Sequence, residues 1–147
     1  MIAIQKIALP FPGMTELQAE ARQEGYDFIE TLIDEWVSGE NRFEGAGETL
    51  LGAVEQGVVV AVGGLTIDPF VPFESRAEAG RIRRVYVRAA WRNKGIGRML
   101  MTALVERARE SFRCVRLRAE NGDAARLYER IGFSLLDSPD ATHLLKF

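Results

Sequence analysis

Residues Arg92 to Leu104, Arg-Asn-Lys-Gly-Ile-Gly-Arg-Met-Leu-Met-Thr-Ala-Leu, pass from a basic, glycine-punctuated loop into an apolar periodic segment within a few positions. Ile96, Met99, Leu100, Ala103, Leu104 and Ala108 recur at steps of three and four, which predicts one stripe of a helix from about Gly95 to Arg109. The first turn of a helix leaves backbone N–H groups unpaired, and the aligned peptide dipoles place about half a positive charge there. Gly95 and Gly97 have no Cβ to keep a ligand from the main chain, and Arg92, Lys94 and Arg98 add charge around the opening. Phosphate suits such a site. A flexible turn before a solubilising helix is the competing reading of the same residues.

The residues upstream favour the anion site. Arg81-Ile-Arg-Arg-Val-Tyr-Val-Arg88 reads as a strand with Ile82 and Tyr86 on one face and Val85 and Val87 on the other. Strand, basic glycine loop and helix therefore follow one another. The dinucleotide spacing Gly-x-Gly-x-x-Gly is absent because Leu100 occupies its third glycine position, and the Gly-x-x-x-x-Gly-Lys-Ser/Thr loop is absent too. A strand followed by Arg92-x-x-Gly95-x-Gly97 instead resembles motif A of the GNAT superfamily of N-acetyltransferases. Asn121-x-x-Ala124-x-x-x-Tyr128-x-x-x-Gly132-Phe133 resembles its motif B, and the resemblance runs from about Thr49 to Phe147.

Composition bounds the rest. A chain of 147 residues suits one domain, 1–147, and should bury roughly two thirds of its unfolded surface. Nineteen basic and twenty-one acidic side chains leave a formal charge of −2, which argues against a general nucleic-acid or anionic-membrane binder. The single cysteine, Cys114, excludes an internal disulfide framework and reads as a small buried side chain of a strand. No run reaches the ~18 apolar residues of a membrane helix, and Met1-Ile-Ala-Ile-Gln-Lys has no signal-peptide layout, so a soluble cytoplasmic protein is expected.

In chain order, Ala3 to Leu9 predicts a strand ended by Pro10-Phe-Pro-Gly13. Thr15-x-x-Gln18 has the form of a capping box, and Leu17, Ala21, Phe28, Ile29, Leu32, Ile33 and Trp36 keep helical spacing, in one interrupted helix or two short ones around Gly25. Ser38 to Gly47 reads as a loop. Thr49 to Val54 and Val58 to Ile67 form a hairpin, with Gly63-Gly64 marking a bulge or a close backbone approach. Asp68 to Ala79 is a connection, Arg113 to Arg118 another strand, and Ala124, Leu127, Tyr128 and Ile131 a short amphipathic helix. Phe133 to Leu136 and Thr142 to Phe147 close the chain as strands. The expected architecture is α+β, a three-layer arrangement of a mixed, mostly antiparallel central sheet with helices on both faces, as in the GNAT-like acyl-CoA N-acyltransferase fold.

The resemblance implies an acetyl-CoA-dependent N-acetyltransferase acting on a primary amine; a non-catalytic acyl-CoA sensor of the same fold is the alternative. It implies that Arg92, Asn93, Lys94, Gly95, Ile96, Gly97 and Arg98 surround the pyrophosphate. Val85, Tyr86 and Val87 would offer main chain to the pantetheine arm, with Asn121 and Ala124 beside it. Tyr128 matches the position of the acid that protonates the departing thiolate. Many relatives carry a glutamate where this chain has Arg81, and a guanidinium cannot accept a proton at ordinary pH. Two candidates for the base stand in its place, Glu78 and His143. No metal is expected. Glu40, Glu44, Glu48, Asp137 and Asp140, in the stretches Trp36 to Glu48 and Asp137 to Thr142, point to a cationic acceptor, and a homodimer is an allowed assembly.

Overall fold

A computed structural model describes residues 1–72, 74 and 78–147; part of the expected Asp68 to Ala79 connection thus lies outside the described residues. Seven strands form one sheet in the order β1-β2-β3-β4-β5-β7-β6. They are β1 (Ile2–Lys6), β2 (Thr49–Glu55), β3 (Val58–Ile67), β4 (Ala79–Val87), β5 (Cys114–Leu117), β6 (Ser134–Leu135) and β7 (His143–Lys146). All neighbours run antiparallel except β4 and β5. The helices are α1 (Met14–Gln23), α2 (Phe28–Ser38), α3 (Ile96–Ser111) and α4 (Gly122–Ile131). This is the expected mixed sheet with helices on both faces.

Two apolar clusters flank the sheet. Leu100, Met101, Leu104, Val105 and Ala108 of α3 pack with Leu51, Ala61, Leu65 and Ile82 on one side. Leu17 and Ala21 of α1 and Ile29 and Leu32 of α2 pack with Leu50, Val62 and Tyr86 on the other. The early helical segment is two helices, separated at Gly25 by a positive φ of 90°. The α3 stripe differs from expectation in two places. Met99 is exposed, whereas Met101 and Val105 are buried, because the face that α3 turns to the sheet is rotated away from Met99 toward Met101 and Val105 relative to the expected stripe.

The expected face assignment of β4 is corrected at Ile82. Val62 pairs with Tyr86 and Gly64 with Arg83, so Arg84 and Val85 together oppose Gly63. Arg84 takes φ 60°, and this bulge inserts one residue into the alternation. Ile82, Val85 and Val87 consequently all meet the α3 cluster, while Tyr86 joins the cluster under α1 and α2. The glycine pair opposite is a place of close approach. A Cβ on Gly63 would lie 2.8 Å from Leu104 Cδ1, and one on Gly64 would run into the Phe43 ring.

The bulge precedes the feature that positions the site. β4 and β5 pair only through Ala79, Gly80 and Arg81 with Cys114, Val115 and Arg116. Beyond Arg81 the two strands part, and the segment Ile82–Val87 keeps β3 as its strand partner on one side and, among the described residues, has none on the other.

Candidate active site

The gap between the parted strands opens into a cleft of about 770 Å³, with β4 on one wall and α4 on the other. The short turn Ala89–Trp91 carries the chain from β4 to the loop before α3. Asn93 and Gly95 adopt φ 59° and 81°, and Gly95 is the N-cap of α3. Space is not what demands glycine at 95, since a Cβ there would meet nothing within 4 Å; the backbone conformation demands it. Gly97 lies two residues on, in the first turn of α3, against Leu127 and Val87, where a Cβ would make ordinary contact at 3.4 and 3.7 Å. Arg92, Asn93, Gly95, Gly97 and Arg98 all line the cleft. Ile96 is a core residue, and Lys94 lies over the Trp91 ring at 5.5 Å, outside the lining.

Arg92 is held differently from a free phosphate ligand. Its Nε donates to Val87 O at 2.9 Å, and its two terminal nitrogens grip the Glu24 carboxylate, one at 2.8 Å. The hydrogen bond to Glu24 raises the Arg92 pKa, and the same bond, aided by the Tyr86 hydroxyl, holds Glu24 below the usual carboxylate range. Burial, followed by the bond to Glu24, pushes the Tyr86 phenol upward. Glu20 is drawn upward by burial. The Ala89 N–H and Arg88 outweigh that and leave it below its ordinary value. Glu20 in α1 and Glu24 at its C-cap, one helical turn apart, thus bolt that helix to β4 and to the loop. An anion at the α3 N-terminus would meet main-chain N–H groups, with Arg92 braced behind them.

On the opposite wall, the Asn121 side chain caps α4 by accepting from Ala124 N at 2.9 Å and donates to the Tyr26 hydroxyl at 3.2 Å. Ala124, Leu127 and Tyr128 then face the cleft from successive turns. Tyr128 is 7% exposed, and burial, with a smaller contribution from Glu120, pushes its phenol to about 12. Its ring packs against Phe133 and, edge on at 6.4 Å, against His143.

Neither expected base reaches the cleft. Glu78 is exposed at the start of β4, with its carboxylate 4.0 Å from Arg113. His143 is 1% exposed, its Nε2 2.9 Å from Glu129 Oε2 and its Nδ1 2.8 Å from Thr142 Oγ1, so it buttresses the Tyr128 ring from behind. The five loop carboxylates expected to attract a cation are also absent from the lining; Glu48, for instance, accepts from Gly45 N and Ile67 N. Arg81 is 7% exposed and lies 3.8 Å from the fully buried Asp68, which also meets Arg116 at 3.3 Å. The cleft residues that motif reasoning missed are Glu24, Tyr26, Phe28 and Glu120, together with Asp123, Arg126, Leu127 and Arg130 of α4. Glu120 could have been noticed as the carboxylate directly before the Asn121 cap. Cys114 is half-buried, and burial raises its thiol pKa, which suits an inert side chain.

A helix N-terminus, a strand edge without a strand partner among the described residues and a buried phenol thus meet on one cleft. The model of the acetyltransferase (GNAT) family matches residues 11–133. The chain belongs to the GNAT family. Solved structures share its fold. A protein from Exiguobacterium sp. 255-15, provisionally assigned as an acetyltransferase, is 26% identical with a TM-score of 0.87, over 99% of this chain and 93% of its own. A GNAT family acetyltransferase from Elizabethkingia anophelis, solved with acetyl-CoA bound, is 16% identical with a TM-score of 0.67, over 99% and 98% of the two chains. In this GNAT chain no described helix is long and apolar enough to cross a membrane, and no cluster of metal-ligating side chains occurs among the described residues.

Proposed function

We propose that the protein transfers an acetyl group from acetyl-CoA to a primary amine. The observation that carries this reading is the cleft itself, in which the α3 N-terminus, the unpartnered edge of β4 and Tyr128 face one space. The pyrophosphate sits on the N–H groups that follow Gly95, and the pantetheine arm lies along Val85 to Val87 as an added strand. That path leads the thioester toward the bulge at Arg84 and Val85. Val85 has no residue partner in β3 and lines both this cleft and a smaller one of about 230 Å³ beyond it.

The amine enters from the smaller opening. As an ammonium with a pKa near ~10.4 it must lose a proton before it can attack. Glu120, which also lines both openings, accepts that proton through water. The neutral nitrogen then adds to the carbonyl carbon, the C–N bond forms as the C–S bond breaks, the thiolate takes a proton from the Tyr128 hydroxyl, and the surplus proton on the newly bonded nitrogen passes through water to the Tyr128 phenolate, leaving the amide and the free thiol. A phenol raised to about 12 keeps its proton at neutral pH and is available as that acid. The test is release of coenzyme thiol with a panel of amines, in the wild type and in Glu120→Gln. Amine-dependent release with a pH profile displaced in the variant supports the assignment. Coenzyme binding with no amine-dependent release in the wild type refutes catalysis and leaves a sensor.

A further inference from the structure

The smaller opening is lined by an unusual set of charges. Arg81, Arg83, Arg84 and Arg118 face it, and Glu120 is the acidic residue among its lining. Several of these guanidinium groups have partners. Arg81 has Asp68 at 3.8 Å and Asp140 O at 2.7 Å, Arg84 has Glu35 at 3.3 Å, and Arg118 donates to Pro139 O. Arg83 has neither a hydrogen bond nor a carboxylate partner among the described residues, although its Nε is buried. Arg81 Nη1 and Arg84 Nε are likewise buried without a hydrogen bond among the described residues. Burial, then the neighbouring Arg84, lowers the Arg83 pKa. Keeping such a group charged and unpaired in a protein is costly, and folds hold one where a ligand completes it.

From the acetyl-transfer reading above, on which this rests, we infer that the acceptor amine carries a negative group, a carboxylate or a phosphate, which Arg83 binds with Arg81 and Arg118 at its flanks. The volume of about 230 Å³ is below the ~300–1,000 Å³ of pockets that take drug-sized ligands, so the occupant is small. Phe28 and Phe70 supply apolar walls, and Phe70 already covers the Arg81 guanidinium at 4.6 Å. The opening shares Phe28, Val85, Glu120 and Tyr128 with the coenzyme cleft. An anion at Arg83 therefore leaves the amine end directed toward Glu120 and the thioester. Glu120, on the lining shared by both openings, attracts the ammonium, while the arginines fix the far end. The acceptor is thus a zwitterion, and a purely cationic amine meets four guanidinium groups. This reverses the charge that the acidic loops suggested.

The test compares matched pairs differing only in the anion. Phenylalanine against phenylalaninamide serves for the carboxylate, O-phosphoethanolamine against ethanolamine for the phosphate, and putrescine is the cationic control. Expected is a preference of tenfold or more in kcat/KM for the anionic member of at least one pair, since charge-assisted bidentate contacts are the strong ones. The pair that shows it identifies the anion. That ratio should collapse toward one in Arg83→Gln, mainly through KM, and persist in part in Arg83→Lys. Arg118→Gln, at an exposed position, supplies a second variant whose folding is secure and should also shrink the ratio. Equal or better turnover of the neutral or cationic amines, or a ratio unmoved by both glutamine variants, overturns the inference. If acetyl-CoA raises the unfolding temperature but no panel amine accelerates thiol release, the inference falls and the coenzyme site stands. If acetyl-CoA gives no such rise, the reading beneath it falls as well.

Discussion

Replacing Tyr128 by phenylalanine separates chemistry from binding and from folding. The hydroxyl makes no hydrogen bond with the described residues, and the ring contacts to Phe133 and His143 survive the change. Stability at neutral pH should therefore move by no more than ~0.5 kcal/mol, the usual bound for changes that remove no packing or paired polar group. General acids contribute about 10²–10⁴ in rate. A thiolate is a good leaving group, so the lower end applies, about a hundredfold in kcat or ~2.7 kcal/mol of barrier. The pH dependence of stability supplies a second magnitude. Burial raises the phenol from 10.0 to about 12, so the native state holds its proton where the unfolded chain has lost it. That contribution is full below pH ~10 and is lost as pH rises through 12, a total of roughly 3 kcal/mol. Phenylalanine has no proton to lose. Urea titrations at pH 9 and at pH 12 should thus show the variant gaining on the wild type by up to about that amount. The assays are steady-state thiol release, coenzyme-induced thermal shift and these titrations. A kcat within about threefold of wild type, or loss of the coenzyme shift, refutes the role given to this residue.

Other perturbations read out the scaffold. Gly95→Ala places a side chain at φ 81° with nothing within 4 Å, so its whole effect is conformational, about 1 kcal/mol, and Gly95→Asn should cost less because asparagine tolerates that region; equal unfolding temperatures for glycine and alanine would contradict this. Asp68→Ala removes the fully buried counter-charge beside Arg81 and Arg116 and should cost about 3–5 kcal/mol, seen as a lower urea midpoint at unchanged slope; a loss under ~1 kcal/mol would show that these arginines are neutralised elsewhere. Glu24→Gln unties Arg92 and Tyr86 from α1. Because the Glu24 pKa is lowered in the native state, its contribution is present above the ordinary carboxylate range and disappears as pH falls through the lowered value, so variant and wild type should differ at pH 7 by about 1 kcal/mol or less and converge in acid. A constant difference across that range would refute the pairing.

How much could be read from the residues follows from how local each feature is. The Gly95 and Gly97 loop and the Asn121 cap with Tyr128 two turns further along depend on neighbours within a few positions, so their order in the chain announces them. The two helices at Gly25 and the hairpin at Gly57 were legible for the same reason. The Arg84 bulge was not, because strand alternation looks unbroken until β3 fixes the register through Gly63. Glu24 reaches the site only when the C-terminal end of α1 is brought against β4, and spacing within one segment carries no trace of that; Glu120 stands directly before the Asn121 cap, but only the parting of β4 and β5 opens the cleft it lines. His143 suited a base by its ordinary pKa. Its burial between Glu129 and Thr142 keeps it off the cleft lining.

The central claim is that main-chain N–H groups after Gly95, with the free edge of β4, hold acetyl-CoA. Thermal unfolding with and without acetyl-CoA, in the wild type and in Gly97→Asp, tests it most directly. A ligand at about 100 times its Kd stabilises a fold by ~2.7 kcal/mol, which for a chain of this size raises Tm by roughly 5–11 °C. A Cβ at Gly97 finds ordinary contacts, so Gly97→Asp should fold while its carboxylate meets the phosphates and abolishes the rise. No rise in the wild type, or an equal rise in both proteins, would contradict the claim.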